Sequence, residues 1–166
     1  MMFALLLAGV LGAGSYATEV MATPPTPPPG LVTSILGRTA FDELHIRAHS
    51  IPPGLWQAMI NTHGQSDLYV VDNKFVPGAT TGWHSHPGPS LIIVVSGTIT
   101  NYTGDNPTCA GHDYPVGSGF IDAGGDDVHM LRNNGATDAE TIAVQLLPHG
   151  AARKIDKPQP SNCHVS

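Results

Sequence analysis

The sequence predicts an all-β domain, an antiparallel double sheet closed into a sandwich or jelly-roll barrel, on three observations. Nineteen Gly and 15 Pro punctuate 166 residues, which leaves little room for long uninterrupted helices. Short runs rich in β-branched and aromatic residues recur between turn signals. No heptad, solenoid period or glycine-rich phosphate loop opening a helix competes with that reading. With 41% hydrophobic residues, the chain suits one compact domain with peripheral segments.

The first segment reads as an address. Residues 1–17 carry no charged side chain, contain the apolar run Phe3 to Leu11 and end in the small residues Ser15-Tyr16-Ala17. That is the pattern of a cleaved signal peptide, with Val20-Met21-Ala22 as a later cleavage choice. The run is shorter than the roughly 20 residues a membrane-spanning helix needs, so no membrane span is expected in the mature protein. Residues 18–30 include Thr23-Pro24-Pro25-Thr26-Pro27-Pro28-Pro29-Gly30, an extended proline-rich linker. The expected location is secreted or periplasmic. In an oxidising compartment the chain's two cysteines, Cys109 and Cys163, form one disulfide. Such a bridge pins the tail, residues 149–166, to the domain and contributes roughly 3–4 kcal/mol by restricting the unfolded chain.

The domain itself spans 31–148. Asp67 to Phe75 is β-prone and stops at Val76-Pro77-Gly78. Leu91-Ile92-Ile93-Val94-Val95 is a continuous apolar run that reads as a strand buried on both faces. Ser96-Gly97 turns the chain into Thr98 to Tyr102. Further strands are expected at Gly119 to Asp122, Val128 to Arg132 and Thr141 to Leu147.

The net charge of −6, with only seven Lys and Arg in all and no basic cluster, excludes counterion-release binding to nucleic acid. A small molecule or neutral carbohydrate is the expected partner. The chemistry gathers in two stretches. In Gly82-Trp83-His84-Ser85-His86-Pro87, histidines two apart on an extended backbone share a face and can share an ion. Some forty residues later, Gly124-Gly125-Asp126-Asp127-Val128-His129 brings a third histidine to the start of a strand, behind a turn able to set that strand beside the first. Asp126 and Asp127 are the acidic candidates for orienting His129, holding a water or acting as a base. His45, His49, His63, His112, His149 and His164 lack ligand spacing and read as surface or loop residues. Trp83 and Tyr102 read as packing residues.

These two stretches resemble the two motifs of the cupin superfamily. The first, G-x5-H-x-H-x3-4-E-x6-G, is met by Gly78, His84, His86, Ser90 and Gly97. The second, G-x5-P-x-G-x2-H-x3-N, is met by Gly117, Gly125, His129 and Asn133, with Ala123 for the proline and one extra residue before the histidine. The resemblance covers about 67–148. It implies a single cupin jelly-roll β-barrel with His84, His86 and His129 as ligands of one divalent transition metal, and a homodimer formed through sheet edges or the N-terminal strands. Ser90 stands where the usual glutamate ligand is expected. Three neutral imidazoles leave the ion its full charge, which favours Fe, Cu, Ni or Zn over Mn and keeps coordination positions open. The function implied is a metal-dependent oxidoreductase, dioxygenase-like or acting by oxidative cleavage. The alternatives are a non-catalytic cupin binding a metal, sugar or small acid, and a zinc lyase or isomerase.

Overall fold

The computed structural model describes residues 29–52 and 54–165, so the segment read as a signal peptide and most of the linker lie outside the described residues. Twelve strands are present among them: β1 (Leu31–Phe41), β2 (His45–His49), β3 (Gln57–Asn61), β4 (Ser66–Phe75), β5 (His84–Ser85), β6 (Ser90–Ser96), β7 (Thr98–Thr103), β8 (His112–Pro115), β9 (Gly119–Asp122), β10 (His129–Arg132), β11 (Ala139–Pro148) and β12 (Ile155–Asp156). No helix long and apolar enough to cross a membrane occurs among the described residues.

Two five-stranded sheets form the body, in the orders β1-β4-β11-β6-β9 and β12-β5-β10-β7-β8. Every registered pair is antiparallel. The alternation of side chains along a strand decides what each sheet buries. In β11, Ala139, Thr141, Ala143, Gln145 and Leu147 are all buried while the residues between them are not. Phe75, Val94, Ile99 and Leu131 meet between the sheets in one apolar cluster, and Tyr69, Val71, Ile92, Ala143 and Leu147 form a second. Phe75, Val94 and Ile99 are fully buried, each worth roughly 1.5–3 kcal/mol.

Strand β6 departs from the expectation of a strand buried on both faces. Ile92 and Val94 point inward, but Leu91, Ile93 and Val95 are 51%, 56% and 42% exposed. Only one face of its sheet meets the other sheet, so an unbroken apolar run is split by the pleat like any other strand. Ile121, on the neighbouring β9, adds to that outward apolar face. Strands β2 and β3 pair only with each other, as a separate two-stranded ribbon.

Beyond β11 the chain is tied down at Asp67. This buried carboxylate accepts hydrogen bonds from the Gly150 amide (3.0 Å), His149 Nδ1 (3.0 Å) and Arg38 (2.8 Å). The Gly150 amide, with His149 and Arg38 adding to it, outweighs the effect of burial and holds the Asp67 carboxyl at about 2, below its usual 3.8. A carboxylate whose pKa is depressed by folding stabilises the protein fully above its unfolded pKa and loses that contribution as pH falls through the folded one. The wild type should therefore melt above Asp67→Asn at neutral pH. The difference should shrink as the pH is lowered from about 4 towards 2, as thermal melts of both proteins across that window would record. A difference that persisted unchanged to the acid end would mean that the carboxylate charge contributes nothing.

Candidate metal centre

Two strands and one turn assemble the histidines. His84 opens β5 and is the direct cross-strand partner of His129 at the start of β10, so both side chains project from the same face at neighbouring positions. His86 lies two residues beyond His84 on an extended backbone and returns to that face. The turn before β10 is fastened to this segment at two points. The Gly125 amide donates to the His86 carbonyl at 2.7 Å, and Gly124, at φ +78°, lies so close to the Gly88 backbone that a Cβ there would meet it at 2.5 Å. Glycine is required at 124 for both reasons.

All three histidines are buried, with ring centroids 4.3 to 5.4 Å apart, and one ligand atom from each falls within a 4.8 Å group. Each Nδ1 faces a backbone carbonyl: Gly82 for His84 (2.9 Å), Arg153 for His86 (2.5 Å) and Asp127 for His129 (3.2 Å). A carbonyl only accepts, so Nδ1 is the donor in each ring and Nε2 is the nitrogen left to bind an ion. Burial, with the His129 and His86 imidazoles adding to it, lowers His84 to about 2. Burial also lowers His86, against the opposing pull of the Arg153 carbonyl and Asp122. Both rings are thus neutral, the form that binds a metal.

A carboxylate that sequence reasoning did not single out stands beside them. Asp122 ends β9, opposite Ser90 of β6, and is 3% exposed. Its Oδ1 accepts the Gly124 amide at 2.8 Å. Its Oδ2 lies 3.5 Å from His86 Nε2 and has no hydrogen-bond donor. A buried carboxylate oxygen left unpaired costs free energy unless a cation meets it. The three imidazoles therefore fit a divalent ion, with the orphaned Asp122 oxygen beside them. Bonds of about 2.1 Å to a single ion would need donor atoms within about 4 Å of one another, slightly closer than the 4.8 Å limit of this group. The signal in the sequence was the pleat: Phe120 and Asp122 share the inward face of β9 while Ile121 points out.

The other candidates take different places. Ser90 is buried on the wall of the same cavity, its Oγ accepting from Gln145 Nε2 at 3.2 Å. Asp126 and Asp127 do not bring their carboxylates to the histidines; they border a separate surface hollow with Asp105 and Lys157. Asp127 acts on His129 only through its main-chain carbonyl, because the turn that delivers β10 swings both side chains outward. The group able to hold an ion is the three histidines alone, and Asp122 stands beside it as a buried carboxylate that neither Ser90 nor the Asp126-Asp127 pair pointed to in sequence. His63 and His112 are exposed, and His149 serves Asp67.

The histidines open into a cavity of about 480 Å³ between the sheets. Val71, Ile92, Phe120, Leu131 and Ala143 give it apolar walls, and Gln145 and Arg153 are among its polar ones. Arg153 arrives from the segment read as a tail. That segment adds β12, which pairs with β5 at His84 and Ser85, and it is anchored by the Cys109–Cys163 disulfide. Trp83, Met130 and Tyr102 pack around the bridge.

No protein-family model matches the chain, and no curated protein matches it. Among solved structures it is similar to an uncharacterised conserved protein with a double-stranded β-helix domain from Klebsiella pneumoniae, at 17% identity and a TM-score of 0.51, over 86% of this chain and 96% of that one. A cupin domain from Bordetella pertussis matches at 15% identity and 0.46, over 74% and 98%. The cupin-2 domain of an XRE-family transcriptional regulator from Enterobacter cloacae matches at 15% and 0.46, over 72% and 99%. The protein has a double-stranded β-helix fold. Within that class it is one whose barrel buries a three-histidine group able to bind a metal ion.

Proposed function

We propose that this protein is an exported metal-dependent oxidoreductase whose ion is held by His84, His86 and His129 and which acts on a small organic substrate in the barrel cavity. The observation that carries the reading is the common orientation of the three rings: each Nδ1 is engaged by a backbone carbonyl, and each Nε2 is left to the metal. When bound, a divalent iron, copper or nickel ion supplies a redox-active Lewis acid. His84, His86 and His129 would hold it, with the Asp122 carboxylate beside them. The apolar walls exclude water and strengthen the electrostatic contacts inside. Gln145, fixed between Ser90 and Arg153, presents a rigid amide to whatever enters.

Export is supported by the character of residues 1–17, and the disulfide is compatible with an extracytoplasmic location. The test is elemental analysis of protein isolated from the exported fraction, followed by dioxygen-consumption assays of that material. About one equivalent of iron, copper or nickel per chain is expected, with consumption that depends on an added organic substrate. Zinc as the native ion would overturn the oxidoreductase reading, and absence of any ion would overturn the metal centre itself.

A further inference from the structure

We infer that Arg153 forms a carboxylate-binding subsite in the metal cavity, so that the substrate class is a small monocarboxylate with an apolar body. The inference rests on the functional reading above for its setting and on Arg153 for its content.

Two guanidinium groups flank the buried Tyr69 ring, Arg38 at 5.2 Å and Arg153 at 5.6 Å from its centroid. Arg38 is neutralised by Asp67 at 2.8 Å. Lys154, which also lines the cavity, is paired with Asp156 at 2.5 Å. Among the described residues Arg153 has no carboxylate within 4.0 Å. It is half-buried, and its recorded polar contact is one Nη1 bond to Gln145 Oε1 at 3.1 Å. A guanidinium presents five donors in a planar fork, and one neutral acceptor with an aromatic face leaves most of them unused. Half-burial without a counter-ion is costly, and an anion in the cavity would remove the cost.

The geometry also limits which anion. One unpaired cation matches one negative charge, and the fork matches the two oxygens of a carboxylate. Asp122, beside His86 and His129, opposes a second negative charge. The rest of the lining sets Val71, Ile92, Phe120, Leu131 and Ala143 among a few polar side chains, Thr33, Asn73, Thr81 and Thr141, and its apolar part suits hydrocarbon. The Arg153 carbonyl holds His86 while its side chain would hold the substrate, so a single residue sets the distance between bound carboxylate and metal group.

The experiment is calorimetric titration of the full chain, loaded with zinc so that no turnover occurs, against acetate, hexanoate and benzoate, each paired with its amide. At least one carboxylate should bind about tenfold or more tighter than its amide, as a charge-assisted pair requires. Arg153→Met should abolish that preference while zinc stoichiometry stays at the wild-type value, because the backbone carbonyl that serves His86 is unchanged. Arg153→Lys should retain part of the preference and serves as the folded control. No carboxylate preference in the wild type, or a preference that survives Arg153→Met, would overturn the subsite. Failure of zinc to bind would instead count against the metal centre. The same titrations on metal-free protein would still read the Arg153 preference on its own.

Discussion

Replacing His129 with alanine is expected to abolish stoichiometric binding of a divalent ion, and the same loss is expected for His84→Ala and His86→Ala. A three-imidazole site has no ligand to spare. Removing one leaves two nitrogens from a single strand segment, or one from each of two strands, and the remaining donors are short of what an ion gains by leaving water. The affinity should fall by on the order of a hundredfold or more. The three losses should be similar because His84 and His129 are register partners and His86 shares their face. Asp122→Asn should behave differently. It keeps all three nitrogens and removes one adjoining charge, so affinity should drop by about ten- to a hundredfold while one ion per chain still binds at saturation. His112→Ala, on exposed β8, should change nothing. Elemental analysis and competition against a chelator would measure all five variants, and full metal in His129→Ala would rule out the three-histidine centre.

Breaking the disulfide should disturb the same centre from a distance. In Cys163→Ser the chain after β11 loses its covalent anchor, and the 54-residue separation predicts a loss of about 3–4 kcal/mol from the freed unfolded chain. The tail does more than close a loop. It contributes β12 against β5, the Lys157 amide bonded to the Trp83 carbonyl, and the Arg153 carbonyl on His86. The variant should therefore melt lower and also bind metal more weakly than wild type, although every ligand is present. Thermal melts and metal affinity with and without reductant would record both effects. Unchanged metal affinity in a clearly destabilised variant would show that the tail supports the fold alone.

How much of this was legible in the chain varies by element. The strands at 66–75, 98–103, 119–122 and 139–148 were marked by β-branched runs between glycine and proline turns, because those signals are local. Whether β6 was covered on both faces was not local. Leu91, Ile93 and Val95 are as apolar as Ile92 and Val94, and only the absence of a layer outside their sheet separates the two sets. At the site, the H-x-H spacing and the glycine turn before His129 carried the clustering of the three histidines. The acidic neighbour did not follow, because Asp126 and Asp127 are close to His129 in sequence while Asp122 is close in space.

Residue identity and spacing determined by themselves that the chain would be a β protein with two cysteines able to pair and three histidines able to converge. Those features depend on backbone propensity, the two-residue pleat and turn chemistry, which act over a few residues. Only the tertiary structure decided that the buried Asp122 carboxylate stands beside the histidines, that each imidazole faces a backbone carbonyl, and that Arg153 enters the cavity from beyond the second motif. Each of those is a contact between strands or segments distant along the chain. Such contacts are set by sheet order and register, the same two-sheet packing that buries the three histidines and, among the described residues, leaves an oxygen of Asp122 and most of the Arg153 donors without protein partners.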